Sequence, residues 1–174
     1  MIYIVRHGQT DWNVAKRCQG QTDIPLNDTG RAQARATAGE VAKIKIERII
    51  SSDLSRARET AEIIGRHIGV AVETDVRIRE GDCGTCAGRV MTHEDWEEFN
   101  IDPKKYNGES LEDMFIRTKS FMDEIRHLEN VLVVTHAGTL RMIMYCAKHE
   151  VFDRNIAEEY RSLKFENACL VKWK

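Results

Sequence analysis

Val131-Leu132-Val133-Val134 is an unbroken apolar run, and it limits the architectures open to this chain more than any other stretch. A strand with one wet face alternates apolar and polar residues. A strand without alternation must be covered on both sides, as in a parallel sheet packed between helices. Ile2-Tyr3-Ile4-Val5 is a run of the same kind, and Ile46–Ile50 and Val70–Thr74 supply two shorter ones. Between them lie segments with helical spacing. One runs from a cap around Asn27–Thr29 through Ala32, Ala36, Val41 and Ile44, and a second from Ser55 to Ile68 with Gly69 as its stop. Two more run from Ser110 to Leu128 and from Thr139 to Lys148, and Ala168–Trp173 reads as a last strand. The stretch from Arg77 to Gly108 is irregular except for a helical piece at His93–Phe99. This alternation predicts an α/β fold of three layers, α/β/α, around a mostly parallel central sheet. With 174 residues, no repeat and no linker, residues 1–174 are expected to form a single domain.

Composition removes several classes of function. The chain is 42% hydrophobic and 31% charged, which is ordinary for a soluble globular protein, and its net charge is -2. That balance gives no reason to expect nucleic acid or a membrane as partner, so any cationic site must be local. No apolar stretch has the length of a bilayer span, and the first residues lack the basic region of an export signal, so a cytoplasmic location is expected. The five cysteines are odd in number and scattered, against a disulfide framework. Cys83-Gly-Thr-Cys86 has the C-x-x-C spacing but no second pair, and His93 is the only further zinc ligand nearby. Reduced loop thiols are expected there, and Cys146 and Cys169 are expected in the core.

Three strand ends carry polar groups. The first ends at Arg6-His7-Gly8, the second at Ser51-Ser52-Asp53 ahead of Arg56, and the fourth at Thr135-His136-Ala137-Gly138. Ligands of open α/β sheets bind outside the carboxyl ends of the strands. A parallel sheet with these ends on one rim gathers two arginines and two histidines, which suits an oxyanion. Singly, each residue reads as an ordinary cap or a solvated charge.

The ordered set resembles the histidine phosphatase superfamily, the phosphoglycerate-mutase-like proteins. Its R-H-G-x-T-x-x-N opening is matched by Arg6, His7, Gly8, Thr10 and Asn13. A D-x-P-L segment with G and Q-A matches Asp23, Pro25, Leu26, Gly30, Gln33 and Ala34, and an S-D-L-x-R-A-x-x-T-A segment matches Ser52 through Ala61. G-E-S matches Gly108-Glu109-Ser110, and V-x-H-x-G-x-x-R matches Val134, His136, Gly138 and Arg141. The matches fall in family order over nearly the whole chain. The resemblance implies the phosphoglycerate-mutase-like form of the α/β/α fold and a catalytic set of His7, Glu80, Arg6, Arg56 and His136. His7 would be the nucleophile, forming a phosphohistidine; it must be neutral at the attacking nitrogen, with the other nitrogen held by a backbone carbonyl. Arg6, Arg56 and His136 would clamp the phosphate oxygens, His136 as a further charge-assisted donor if protonated, leaving no need for a metal or cofactor. The positive end of the helix near Gly138, with Ala137 beside it, would face the same anion. Thr10 and Asn13 either touch phosphate or only cap the loop. Glu80 would protonate the leaving alcohol and then activate water, with Asp82 as its rival.

One segment departs from the family. Gly84-Thr85-Cys86-Ala87-Gly88 lacks the aromatic and acidic residues usual between the two glycines. Trp12, Arg89, His93, Trp96 and Tyr106 are candidates to shape the substrate pocket, each equally readable as packing. The chain is short and similar to the phosphatase branch that includes the α-ribazole phosphatases, whereas the glycolytic mutases carry extra segments that exclude water. A phosphatase acting on a small phosphomonoester is therefore expected, with a cofactor-dependent phosphoglycerate mutase and a phospho-ligand binding module as alternatives. Oligomeric state is not readable from these residues.

Overall fold

A computed structural model describes residues 1–153 and 157–173. Strands β1 (Ile2–Arg6), β2 (Arg48–Ser51), β3 (Val72–Thr74), β4 (Val131–Thr135) and β5 (Leu170–Lys172) form one sheet in the order β3-β2-β4-β1-β5. The first four are parallel, and β5 runs antiparallel on the edge beside β1. β4 is the central strand and is buried throughout, as its unbroken apolar sequence requires. The helices are α1 (Asp11–Val14), α2 (Asp28–Val41), α3 (Ser55–Ile68), α4 (His93–Ile101), α5 (Leu111–Ile125), α6 (Ala137–Cys146) and α7 (Ala157–Ser162).

Side-chain alternation along the strands divides the core in two. Val131 and Val133 of β4 join Ile2, Ile4 and Ile50 beneath Phe121, Met122 and Ile125 of α5 and Leu140 and Ile143 of α6. Leu132 and Val134 join Val5 and Ile49 beneath Ala38 and Val41 of α2 and Ala57, Ala61 and Ile64 of α3. Truncating any one of the large members to alanine would cost about 2–5 kcal/mol.

The expected elements are present with shifted ends. β3 begins at Val72, because Gly69 turns left-handed after α3 and the Val70 N–H closes that turn on Gly65 O at 3.0 Å. α6 begins at Ala137, since His136 is extended and its carbonyl already accepts from Leu140 N. Ser110 caps α5 from outside, accepting from Asp113 N at 3.1 Å. α1 and α7 have no clear apolar period and are additions to the sequence reading. Cys146 and Cys169 are only partly buried; Cys83 and Cys86 are the buried thiols, packed with Phe99 against Cys18. No helix among the described residues is long and apolar enough to cross a membrane.

Candidate active site

The sheet order places β4 between β2 and β1, so the three polar strand ends are adjacent on one rim. His7 follows β1 and keeps its ladder, with its N–H on Thr135 O at 2.8 Å. Its carbonyl accepts from Asn167 Nδ2 at 3.1 Å. The next residue must be glycine: a Cβ on Gly8 would run into the Gly30 carbonyl oxygen. Gly8 N–H donates to Thr60 Oγ1 at 3.1 Å. Backbone on both sides of the imidazole is thereby fixed.

The His7 ring is buried, and its Nδ1 lies 2.7 Å from Gly8 O. That contact puts the ring proton on Nδ1 and leaves Nε2 with a free lone pair. Burial, then the charges of Arg56 and Arg6, hold His7 well below the ordinary 6.5, against a smaller opposing effect of the Gly8 carbonyl. A neutral imidazole at pH 7 is the form a nucleophile needs.

Arg56, in the first turn of α3, is fully buried (0% exposed), and its Nη1 and Nη2 donate to Thr22 O and Gly20 O at 2.8 Å each. Arg6 Nη1 donates to Phe165 O at 2.5 Å. Neither guanidinium meets a carboxylate within ion-pair distance among the described residues. Burial pushes both below their usual value, with Glu80 the leading charge opposing it. The Nε atoms of Arg6 and Arg56, and Nδ1 of His136, are buried without a hydrogen-bond partner in the protein. Buried polar nitrogens are rarely left so, and a cluster of three beside one imidazole is where an anion belongs.

His136 is buried and does not line the cavity; its ring stands 5.1 Å from that of His7, centre to centre. Burial, then Arg56 and His7, keep it well below 6.5. Its Nε2 lies 2.8 Å from Ser52 Oγ.

Glu80 lines the same cavity as His7 and Arg6. Its carboxylate accepts from Gly138 N at 3.0 Å, Thr139 N at 3.2 Å and Gly81 N at 3.0 Å. The N-terminus of α6, expected to face phosphate, is thus taken by Glu80. A Cβ at Gly138 would collide with this carboxylate. Arg117 secures the segment beneath, donating to Arg77 O at 2.6 Å, Arg79 O at 2.8 Å and Glu80 O at 3.2 Å while paired with Glu109. The rival Asp82 is turned onto Gly84 N at 2.9 Å.

Arg6, His7, Asn13, Arg56, Glu80, Asp82, Ala137 and Gly138 line one cavity of about 560 Å³. Thr10 does not line it. Fully buried, Thr10 caps α1 by accepting from Asn13 N at 3.2 Å, so the capping role holds and phosphate contact does not. Of the candidate substrate-side residues, His93 and Trp96 line the cavity and Trp12, Arg89 and Tyr106 do not. The altered segment forms a tight turn at Gly84–Cys86, and Trp12 packs on Gly88. Among the described residues no group of three or more metal-ligating side chains is arranged to hold an ion. Arg117 and the carbonyls of Gly20, Thr22 and Phe165 escaped the sequence reading, as did the pairing of Ser52 with His136. A carbonyl is common to every residue and leaves no sequence signal.

Such a rim defines an α/β protein with an imidazole and two guanidinium groups gathered beside one cavity at the strand ends. The chain belongs to the histidine phosphatase superfamily, branch 1, whose sequence pattern matches residues 2–173. A probable phosphoglycerate mutase of Photorhabdus laumondii is 37% identical over 154 residues, 80% of this chain and 70% of that protein. An uncharacterized phosphatase of Bacillus subtilis is 33% identical over 171 residues, 97% of this chain and 85% of that protein. The solved mycobacterial glucosyl-3-phosphoglycerate phosphatase in complex with VO3 superposes with a TM-score of 0.80 at 29% identity, covering 97% of this chain and 88% of that one.

Proposed function

We propose that the protein hydrolyses a small phosphomonoester without a metal, by two displacements at phosphorus through His7. The observation that carries this reading is the buried His7 ring, fixed by Gly8 O and set beside two guanidinium groups whose buried Nε atoms lack partners. Phosphoryl transfer requires positioning and charge neutralisation above all, and Arg6 and Arg56 supply both.

In the first step His7 Nε2 forms a bond to phosphorus as the bond to the ester oxygen breaks, and that oxygen takes a proton from Glu80. In the second, Glu80 removes a proton from water, the water oxygen bonds to phosphorus, and the His7 N–P bond breaks to release phosphate. His136 contributes as a neutral donor. When the Ser52 hydroxyl donates to His136 Nε2, the ring proton stays on Nδ1, the atom without a partner in the protein. Asn13 and the backbone at Ala137 border the same anion.

The test is phosphate release from a panel of esters in chelator, for the wild type beside His7→Ala. Chelator-resistant release that falls at least about 10⁴-fold in the variant is expected, since removing a nucleophile costs this much. Trapping with labelled ester should place phosphate on a histidine in the wild type alone. Undiminished release by His7→Ala would overturn the reading. Isomerisation of a phosphoglycerate outpacing its hydrolysis would favour a mutase, and tight ester binding without turnover a binding module.

A further inference from the structure

We propose that the outer part of the cavity is a subsite for a flat aromatic leaving group. This rests on the reading of the cavity as a phosphomonoester site and names the class of ester it takes.

The phosphate cradle uses only the end of the cavity at the strand rim. The remaining wall is largely apolar, and its centre is α4. His93, Trp96 and Asn100 recur at helical spacing and all border the cavity, so one face of α4 is turned to it. Trp96 is held from behind: its ring meets the buried Phe99 nearly at right angles, 5.7 Å centre to centre, and its carbonyl accepts from Asn100 Nδ2 at 2.7 Å. Yet it keeps 36% exposure. A rigid, supported and still open indole is a stacking platform. Leu111 and Met114, in the first turn of α5, extend the apolar wall.

Charge along this wall is mixed in sign. Asp82 and Glu109 both border the cavity, Asp82 accepting from Gly84 N at 2.9 Å and Glu109 paired with Arg117. Arg141 Nε donates to Leu163 O at 2.7 Å and its guanidinium lies over the Tyr160 ring, while Arg17 Nη1 donates to Gly88 O at 3.2 Å. His93 faces Glu97 at 3.7 Å. An uncharged ring loses nothing to these carboxylates and gains the indole face.

The test compares ligands whose alcohols leave with similar ease. Calorimetry would measure benzylphosphonate and ethylphosphonate binding to the wild type, Trp96→Ala and Trp96→Phe. Steady-state rates would be taken with benzyl phosphate, ethyl phosphate and 3-phosphoglycerate. Benzylphosphonate should bind about tenfold tighter than ethylphosphonate, a preference of the size stacking supplies. Trp96→Ala should erase it, Trp96→Phe should keep most of it, and for benzyl phosphate the loss should fall on KM with kcat little changed. Equal affinities in the wild type, equal weakening of both phosphonates by Trp96→Ala, or 3-phosphoglycerate turned over better than benzyl phosphate would each overturn the subsite. Because the phosphonates bind without reacting, their preference is read even if the phosphohistidine step itself proves wrong.

Discussion

The cradle on the strand rim and the cover formed by residues 76–108 treat the same side chain in opposite ways. In and under the cover, arginines meet carboxylates: Arg77 pairs with Asp75 and Glu124, Arg79 with Asp53, and Arg117 with Glu109. In the cradle, Arg6 and Arg56 meet only carbonyl oxygens, and Arg56 is fully buried. Carbonyl dipoles orient a guanidinium without cancelling its charge. A carboxylate would do both, and would leave less charge for a ligand. The cover's ion pairs hold shape, whereas the cradle's uncompensated cations hold a vacancy for an anion at a cost in stability.

The contrast breaks first, and by the largest amount, at Arg56. Arg56→Met should lower kcat/KM by about 10³-fold, as expected for loss of a charge aimed at the transferring group. Its thermal midpoint should stay level or rise, because an uncompensated buried charge is replaced by an apolar chain. A clear fall in midpoint with turnover retained would show that Arg56 is structural after all. Next comes Glu80→Gln, which should cost about 10²-fold on alkyl esters, where the leaving oxygen needs a proton. With p-nitrophenyl phosphate, whose leaving group needs none, the loss in the first step should nearly vanish. Equal losses on both substrates would reassign the acid, with Asp82 the first alternative.

The smallest effect is on pH dependence. His7 and His136 are held well below 6.5 in the fold, chiefly by burial, and return to about 6.5 when the chain unfolds. Above pH 6.5 neither state takes up these protons and their contribution to stability is complete. As pH falls below 6.5 the unfolded chain binds protons the fold refuses, and stability drops by about 1.4 kcal/mol per pH unit for each imidazole. Urea titrations at pH 7 and pH 5.5 would read this, and His136→Gln should flatten the slope. Wild-type stability unchanged between the two values would contradict the burial argument.

The two regions were also unequally legible in the sequence. β1, β4 and α3 could be read because their apolar spacing is dictated by sheet and helix geometry, and Gly69 marks the end of α3. His7, Arg6 and Arg56 could be read because strand ends bring distant residues to one rim. The position of Glu80 could not: whether its carboxylate faces the cradle or the N-terminus of α6 depends on packing between elements far apart in sequence. The low setting of His136 could not be read either, because the burial that chiefly lowers it, with Arg56 and His7 beside it, is assembled only in three dimensions. The cover resisted reading most, since its short turns are set by contacts such as Trp12 on Gly88 and the paired thiols Cys18 and Cys83, which carry no period.

Glu80 resting on the α6 N–H groups has a kinetic consequence. Its carboxyl group is the foremost opposing charge felt by both Arg6 and Arg56, so part of the cradle's pull on an anion is offset from within the protein. An incoming ester does not fall into a bare positive well. Long-range attraction is muted, and simple inorganic anions gain little by entering. A guest that satisfies the guanidinium forks while leaving Glu80 its backbone donors meets the least opposition, which makes Glu80 a filter on what enters.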